Sequence, residues 1–240
     1  MGDGPIPVVS SPRQIQLLVR VAAAPQPRRA QRVLAHLRAV EGGDAATRHR
    51  LSLDARAALG HAAPTIFARF TAVTKLALRC ARCSGTDSLS DNGAAQVAAA
   101  LPSQRLARLK LRGLRQLSDD GLASLARATP AIRKLSVSSC SFGPKAFVAV
   151  LRSCPLLEDL SVKRLRGLPD TAGAATTITE EILFPPASLL RSVCLKDLYS
   201  ALFVPLVASS PNLRSLKILR CSGAWDLPLE VIVARAHGLG

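Results

Sequence analysis

The residues of this sequence whose types and spacing suggest chemistry are basic side chains that alternate with aliphatic ones. In the segment Arg108–Arg112, an Arg, a Lys and a second Arg stand at every second position. Alternation of this kind places side chains on one face of a β-strand. Clustered Lys and Arg offer charge-assisted hydrogen bonds to carboxylate and phosphate groups. The spacing therefore predicts an anion-binding surface, and a strand within a sheet is needed to position it.

Other groups that could do chemistry are scattered along the chain. Cys80 and Cys83 form a C-x-x-C pair, but a structural zinc site needs four ligands and no second pair follows at a suitable distance. We interpret these cysteines as packing residues and expect no metal and no cofactor. No P-loop, G-x-G-x-x-G or G-x-S-x-G occurs, and the four histidines lie near no nucleophile or carboxylate pattern. We therefore expect no catalytic residues and a protein that is not an enzyme.

The alternating segments belong to a repeat. The pattern L-x-x-L-x-L, with aliphatic substitutions, occurs six times, and its central aliphatic falls at positions 76, 109, 135, 160, 193 and 216. The mean spacing of 28 residues lies in the range of leucine-rich repeats. Between the segments, Leu89–Pro102 matches Leu117–Pro130, and each begins with a Ser-Asp helix-start signal. The sequence thus predicts an α/β leucine-rich-repeat solenoid of about six repeats, with short parallel strands on the concave face and helices on the convex face.

Three exposed positions are expected in each predicted strand. Of these eighteen positions nine are basic and one is acidic, whereas the average composition would place about two basic residues there. One interpretation is that such a strand face carries charge for solubility and to prevent edge pairing. The other is a partner-binding site for an acidic or phosphorylated protein segment. The candidate residues are Lys75, Arg79, Arg108, Lys110, Arg112, Lys134, Lys163, Lys196 and Lys217.

Composition narrows the classes of partner and location. The 240 residues carry a net charge of +16, but only 3% of them are aromatic, which argues against single-strand nucleic-acid binding by base stacking. Nucleic acid is therefore a minor alternative, and no apolar run approaches the roughly 18 residues that span a membrane. Six sparse cysteines and the lack of a secretory signal predict reduced thiols and a nuclear or cytoplasmic protein.

Seven segments carry a more specific pattern: Arg48–Ala55, Phe70–Cys80, Leu109–Gly113, Ser139–Gly143, Lys163–Leu168, Leu190–Lys196 and Cys221–Asp226. In this order they resemble plant F-box/leucine-rich-repeat proteins of the VIER F-box type, over roughly three quarters of the chain. The resemblance implies a non-catalytic substrate receptor of a cullin–RING ubiquitin ligase. In that family an N-terminal F-box binds a Skp-type adaptor and the repeats hold a protein substrate.

The two ends depart from the family pattern. No Leu-Pro start precedes Arg48 and the only Trp is Trp225, so residues 1–47 are expected to be a basic, poorly ordered arm or a degenerate F-box remnant. A Skp-type adaptor is then a partner only if these residues retain F-box function. The solenoid is expected to occupy residues 48–226, and residues 227–240 to be a truncated C-terminal segment. The alternative function is a leucine-rich-repeat scaffold for an acidic or phosphorylated partner with no link to ubiquitin ligation.

Overall fold

The computed structural model describes residues 45–80, 88–166, 184–185, 187, 189–198, 203–221, 225–226, 229–230 and 233–234. Most of the predicted arm over residues 1–47 and of the C-terminal segment lies outside the described residues. The fourth interval of the repeat is degenerate, and its Thr-, Ala- and Gly-containing stretch between Pro169 and Pro186 predicts a loop insertion. Nearly all of this stretch also lies outside the described residues.

Seven strands form one parallel sheet in the order of the sequence. Six of them coincide with the six L-x-x-L-x-L segments, and the first strand is an addition to the predicted set. In that strand Arg48 stands where the other units have their first aliphatic residue. The strands are β1 (Arg50–Asp54), β2 (Lys75–Arg79), β3 (Arg108–Arg112), β4 (Lys134–Ser138), β5 (Asp159–Lys163), β6 (Ser192–Leu198) and β7 (Ser215–Cys221).

Helices alternate with the strands, and the first four pack against one another in sequence order. The predicted Ser-Asp helix starts are confirmed, because the Ser90 and Ser118 hydroxyl oxygens accept hydrogen bonds from the backbone N–H groups of Gly93 and Asp120. The fold is therefore α/β, with a parallel sheet whose strands alternate with helices. The helices are α1 (Leu59–Arg69), α2 (Asp91–Ala100), α3 (Asp119–Arg127), α4 (Pro144–Ser153) and α5 (Val204–Ala208).

One hydrophobic core joins the sheet to the helices. The two aliphatic residues that alternate within each of strands β1–β6 are buried, and helix residues such as Leu122 and Phe147 belong to the same cluster. Burying a Leu, Val or Phe side chain contributes about 1.5–3 kcal/mol. All six Phe side chains lie in this core. Most aromatic side chains of the chain are thus buried in the core.

Carboxylates at the helix starts connect neighbouring units. The Asp91 side chain accepts hydrogen bonds from the backbone N–H of Ser118 at 2.8 Å and from its hydroxyl at 2.7 Å. Asp119 accepts one from the backbone N–H of Gly143 at 2.6 Å. The repeated Asp therefore holds adjacent units together, in addition to being favoured in the first turn of its own helix.

Five neighbouring strands carry the same left-handed backbone conformation directly after the third row, just past the ends of β3, β4 and β5 and within β6 and β7. The residue after the third outward position has positive φ in each: Gly113, Ser139, Arg164, Asp197 and Arg220. The backbone N–H groups of Gly113 and Ser139 each donate to a carbonyl of the next strand at 2.9 Å. At Gly113 a Cβ would lie 2.4 Å from the carbonyl oxygen of Cys80. A side chain is thus accommodated at Ser139 and excluded at Gly113.

The expectation of reduced thiols is wrong for Cys80, which is disulfide-bonded. The expectation came from the average redox state of a cell compartment. That average gives no information on whether two sulfur atoms of one chain lie close together. The Cys140, Cys154, Cys194 and Cys221 thiols are free. Burial raises the pKa of Cys140 and of Cys154 to about 11, so these two behave as packing residues.

Substitutions at Gly113 and Ser139 distinguish the effect of the left-handed backbone from the effect of the close approach to the Cys80 carbonyl. We expect Gly113→Ala to lower the free energy of unfolding by about 1–3 kcal/mol, because it adds both left-handed strain and a clash. Ser139→Gly should change stability by less than about 1 kcal/mol, since relief of the left-handed backbone offsets the greater freedom of glycine in the unfolded chain. Urea denaturation of both variants provides the measurement. Equal losses would show that the close approach at Gly113 is unimportant.

Candidate functional site

The strand residues that do not face the core form three rows across the sheet, because the register is kept through all seven strands. We refer to the surface made by these rows as the outer face. The first row runs through Arg50, Lys75, Arg108, Lys134, Asp159, Ser192 and Ser215. The second runs through Ser52, Ala77, Lys110, Ser136, Ser161, Cys194 and Lys217, and the third through Asp54, Arg79, Arg112, Ser138, Lys163, Lys196 and Leu219.

All nine candidate residues fall in these rows, and all are exposed or half-buried. The alternation within each strand predicted that the candidate residues of one strand would lie on the same face of that strand. The structure adds that the faces of successive strands are aligned residue by residue. Charges that are remote in sequence are therefore adjacent across the sheet.

Ion pairing divides the nine residues. Lys134 forms an ion pair with Asp159, its register partner on the next strand. Within the described ranges the other eight candidates make no ion pair. Lys134 is therefore the candidate least available to a partner, and the rest of the outer face keeps its positive charge.

The uncompensated charge is densest around Lys110. Burial lowers the pKa of Lys110, and the positive charges of Arg79, Arg112, Lys163 and Arg108 lower it further. We call these five residues the cationic cluster. Repulsion among like charges costs free energy, and a bound anion would relieve it.

Small polar residues lie beside the cluster. Ser136 and Ser138 on β4 and Ser161 on β5 occupy second- and third-row positions between Lys110 and Lys163. Neighbouring strands are about 4.8 Å apart, so β3 and β5 are separated by about 10 Å. The hydroxyls of these three serines donate no hydrogen bond within the described part of the chain. The serines therefore leave space and free donors among the cations.

Arg79 supplies a further donor. Its Nε is buried and has no hydrogen-bond partner among the described residues. Buried polar atoms are nearly always hydrogen-bonded. Because protein atoms cover this Nε, an acceptor beside the cluster would contact it only after the Arg79 side chain moves.

A second charged group follows the third row and was missed by the sequence reasoning. Arg164 Nε donates to Asp197 at 2.9 Å, and Arg220 Nε donates to the same carboxylate at 2.6 Å. The hydrogen bond from Arg164, followed by that from Arg220, holds the pKa of Asp197 below its usual range. The spacings of 33 and 23 residues equal two of the repeat spacings, so the periodicity could have grouped these three residues.

No group of three or more His, Cys, Asp or Glu side chains that could hold a metal is found among the residues the structure covers. Across the same residues no helix is both long enough and apolar enough to span a membrane. No family model matches the chain. The leucine-rich-repeat class and the ubiquitin-ligase role thus stay predictions.

Removing the central charge tests the electrostatics of the cluster. We expect Lys110→Gln to raise the free energy of unfolding by about 0.2–1 kcal/mol at low salt, because like charges on adjacent strands are destabilising. High salt should reduce the gain by screening. The gain should also shrink as pH rises through the lowered pKa of Lys110, since the wild-type amine then loses its charge in the folded state first and the wild-type protein gains stability.

Lys217→Gln is the matched control, because it removes the same charge from the same row on β7. Its effect should stay within about 0.5 kcal/mol, the usual range for surface substitutions. Thermal and urea denaturation at two salt concentrations and several pH values measure these effects. Destabilisation by Lys110→Gln would contradict the assignment of net repulsion.

Proposed function

We propose that this chain is a leucine-rich-repeat protein that recognises a partner protein on the outer face of its sheet and catalyses no reaction. The period of 28 residues, the parallel strands in sequence order and the helices that pack in the same order support this class. In a solenoid of this kind the outer face would be the concave surface. Such surfaces are the extended binding sites of repeat proteins.

The observation that carries the proposal is the cationic cluster. A charge that only kept the surface soluble would be spread out or paired with acids, as Lys134 is paired with Asp159. Lys110 and the four cations around it instead form no ion pair among the described residues; Asp54, the register partner of Arg79, pairs with Arg56. This arrangement has a stability cost, which is typical of sites kept for binding.

The further proposal, based on the resemblance, is that the partner is the substrate of a cullin–RING ubiquitin ligase. The segments that carry the resemblance include β1, β2, β3 and β6, so they supply part of the outer face. The alternative is an interaction scaffold for an acidic or phosphorylated protein with no link to ubiquitin ligation. Both functions use the same face, and they differ in whether residues 1–47 bind a Skp-type adaptor.

A protein partner fits the outer face better than single-stranded nucleic acid does. Binding of unpaired bases relies on exposed aromatic side chains. All six Phe side chains are in the core, and Trp225 is also buried. The cations therefore stand without stacking platforms in the described part of the molecule.

Charge reversal of three neighbouring strand residues tests the binding face. Replacing Arg108, Lys110 and Arg112 by Glu should weaken capture of partner proteins by about tenfold or more and flatten the salt dependence of binding. The measurement is quantitative affinity capture from lysate with the full chain at several salt concentrations, followed by affinity determination with the captured partner. The control replaces Arg105, Arg115 and Arg152 by Glu, three exposed residues outside the strands. Equal losses of affinity in both triple variants would show that the outer face is a solvated surface and not the binding site.

Adaptor binding separates the two functions. If residues 1–47 do not form a working F-box, we expect no co-precipitation of a Skp-type adaptor with the full chain. Replacing residues 1–47 by an F-box from a known adaptor-binding protein should then recruit the adaptor, because the introduced F-box carries the adaptor-binding residues. Strong binding of the unmodified chain that depends on residues 12–45 would instead establish the ligase role directly and overturn the expectation of a degenerate F-box.

A further inference from the structure

We infer that the cationic cluster and the three serines beside it form a binding site for the phosphate group of a phosphorylated protein segment. The inference rests on the proposed function and names the chemistry that the outer face recognises. Its basis is the number of cations, the free donors and the space at one place on the sheet.

The number of positive charges favours phosphate over carboxylate. A phosphomonoester carries a charge of about −1.5 to −2 near neutral pH and has three acceptor oxygens. One carboxylate already suffices to pair Lys134, as Asp159 shows. The five cations of the cluster need more negative charge at one point than a single Asp or Glu side chain supplies. Phosphate is the protein modification that brings it.

The donors at the site match the acceptors of a phosphate. Arg79, Arg108 and Arg112 bring guanidinium groups, whose planar arrangement of N–H donors fits phosphate oxygens in pairs. The ammonium groups of Lys110 and Lys163 approach from two sides, since Lys163 acts on Lys110 across β4. Among the described residues none of the five side chains forms an ion pair, so binding would not have to break one.

The serines provide the space and the remaining hydrogen bonds. Long side chains at Ser136, Ser138 or Ser161 would fill the region between β3 and β5. Hydroxyls occupy these positions instead, and they have no hydrogen bond to give up within the described residues. The separation of about 10 Å between β3 and β5 accommodates a tetrahedral phosphate group and the chain that carries it.

The lowered pKa of Lys110 agrees with this geometry. Burial and the surrounding cations disfavour the charged amine in the free protein. A bound dianion would reverse the effect of the neighbouring charges and raise the pKa again. Affinity should therefore be greatest between the second phosphate pKa, about 6, and the pKa of Lys110.

The test uses the full chain and three pools of random heptapeptides with a fixed central residue. The central residue is phosphoserine in the first pool, glutamate in the second and serine in the third. At constant ionic strength we expect the phosphoserine pool to bind at least about tenfold more tightly than the glutamate pool, and the serine pool not to bind. The phosphoserine affinity should rise by severalfold from pH 5 to pH 7 as the phosphate becomes a dianion.

Two substitutions locate the site. Lys110→Glu should abolish the preference for phosphoserine over glutamate, whereas Lys217→Glu, with the same charge change in the same row, should preserve that ratio. Lys163→Glu alters the opposite side of the site and should also abolish the preference, so the test does not depend on the folding of one variant. Circular dichroism monitors the fold of each. Loss of the ratio in Lys217→Glu to the same extent would overturn the location.

The outcomes separate failure of this inference from failure of the proposed function. Equal binding of the phosphoserine and glutamate pools would overturn the phosphate site and leave a partner-binding face for acidic segments. Failure of every pool, together with no effect of the triple charge reversal on protein capture, would overturn both. Tighter binding of a single-stranded oligothymidylate or of phosphatidylserine vesicles than of the phosphoserine pool would also overturn the inference, because it would assign the cluster to nucleic acid or to a lipid surface.

Discussion

In-register pairing of seven parallel strands is the constraint on which the rest of the structure depends. Each strand sends two aliphatic side chains into one core, and a shift of one residue would move them to the opposite face. The register is therefore set by burial, and the outward residues have no part in choosing it. Because every strand keeps this alignment, residues that are about 28 positions apart in sequence become neighbours at about 4.8 Å. A residue type that recurs at one outward position of the repeat therefore forms a row across the sheet.

The same constraint explains why charge concentrates where it does. Arg79 and Arg112 are register partners in the third row, and Lys110 lies beside Arg112 in the second row of β3. Lys163 acts across β4, whose second- and third-row residues are serines. Where an acid enters a row, as Asp159 does, the neighbouring lysine is neutralised. The aliphatic core contributes stability that offsets the repulsion among the cations on the other face of the sheet. The buried core and the cationic cluster thus both follow from the same in-register pairing of the strands.

The sequence predicted those parts of the molecule that repeat and missed those that depend on local deviations. Strands β2–β7 and the Ser-capped helices follow from periodic aliphatic residues and capping signals, and the nine candidate residues follow from alternation. Strand β1 escaped because Arg48 replaces its first aliphatic at the end of the sheet. The group formed by Arg164, Asp197 and Arg220 was missed because these residues follow the three outward positions that strand alternation defines, although the repeat spacing relates them. The disulfide at Cys80 escaped because spacing alone does not bring two sulfurs together.

The most direct measurement of the central claim is a residue-resolved NMR titration of the full chain with inorganic phosphate at constant ionic strength. We expect saturable shifts that are largest for the side-chain signals of Lys110 and Lys163 and for the backbone amides of Ser136 and Ser138. The Lys217 signals on the same row should change little. Shifts of similar size on every lysine and arginine, or none on strands β3–β5, would contradict a specific anion-binding site. The positive charge would then be a general property of the surface.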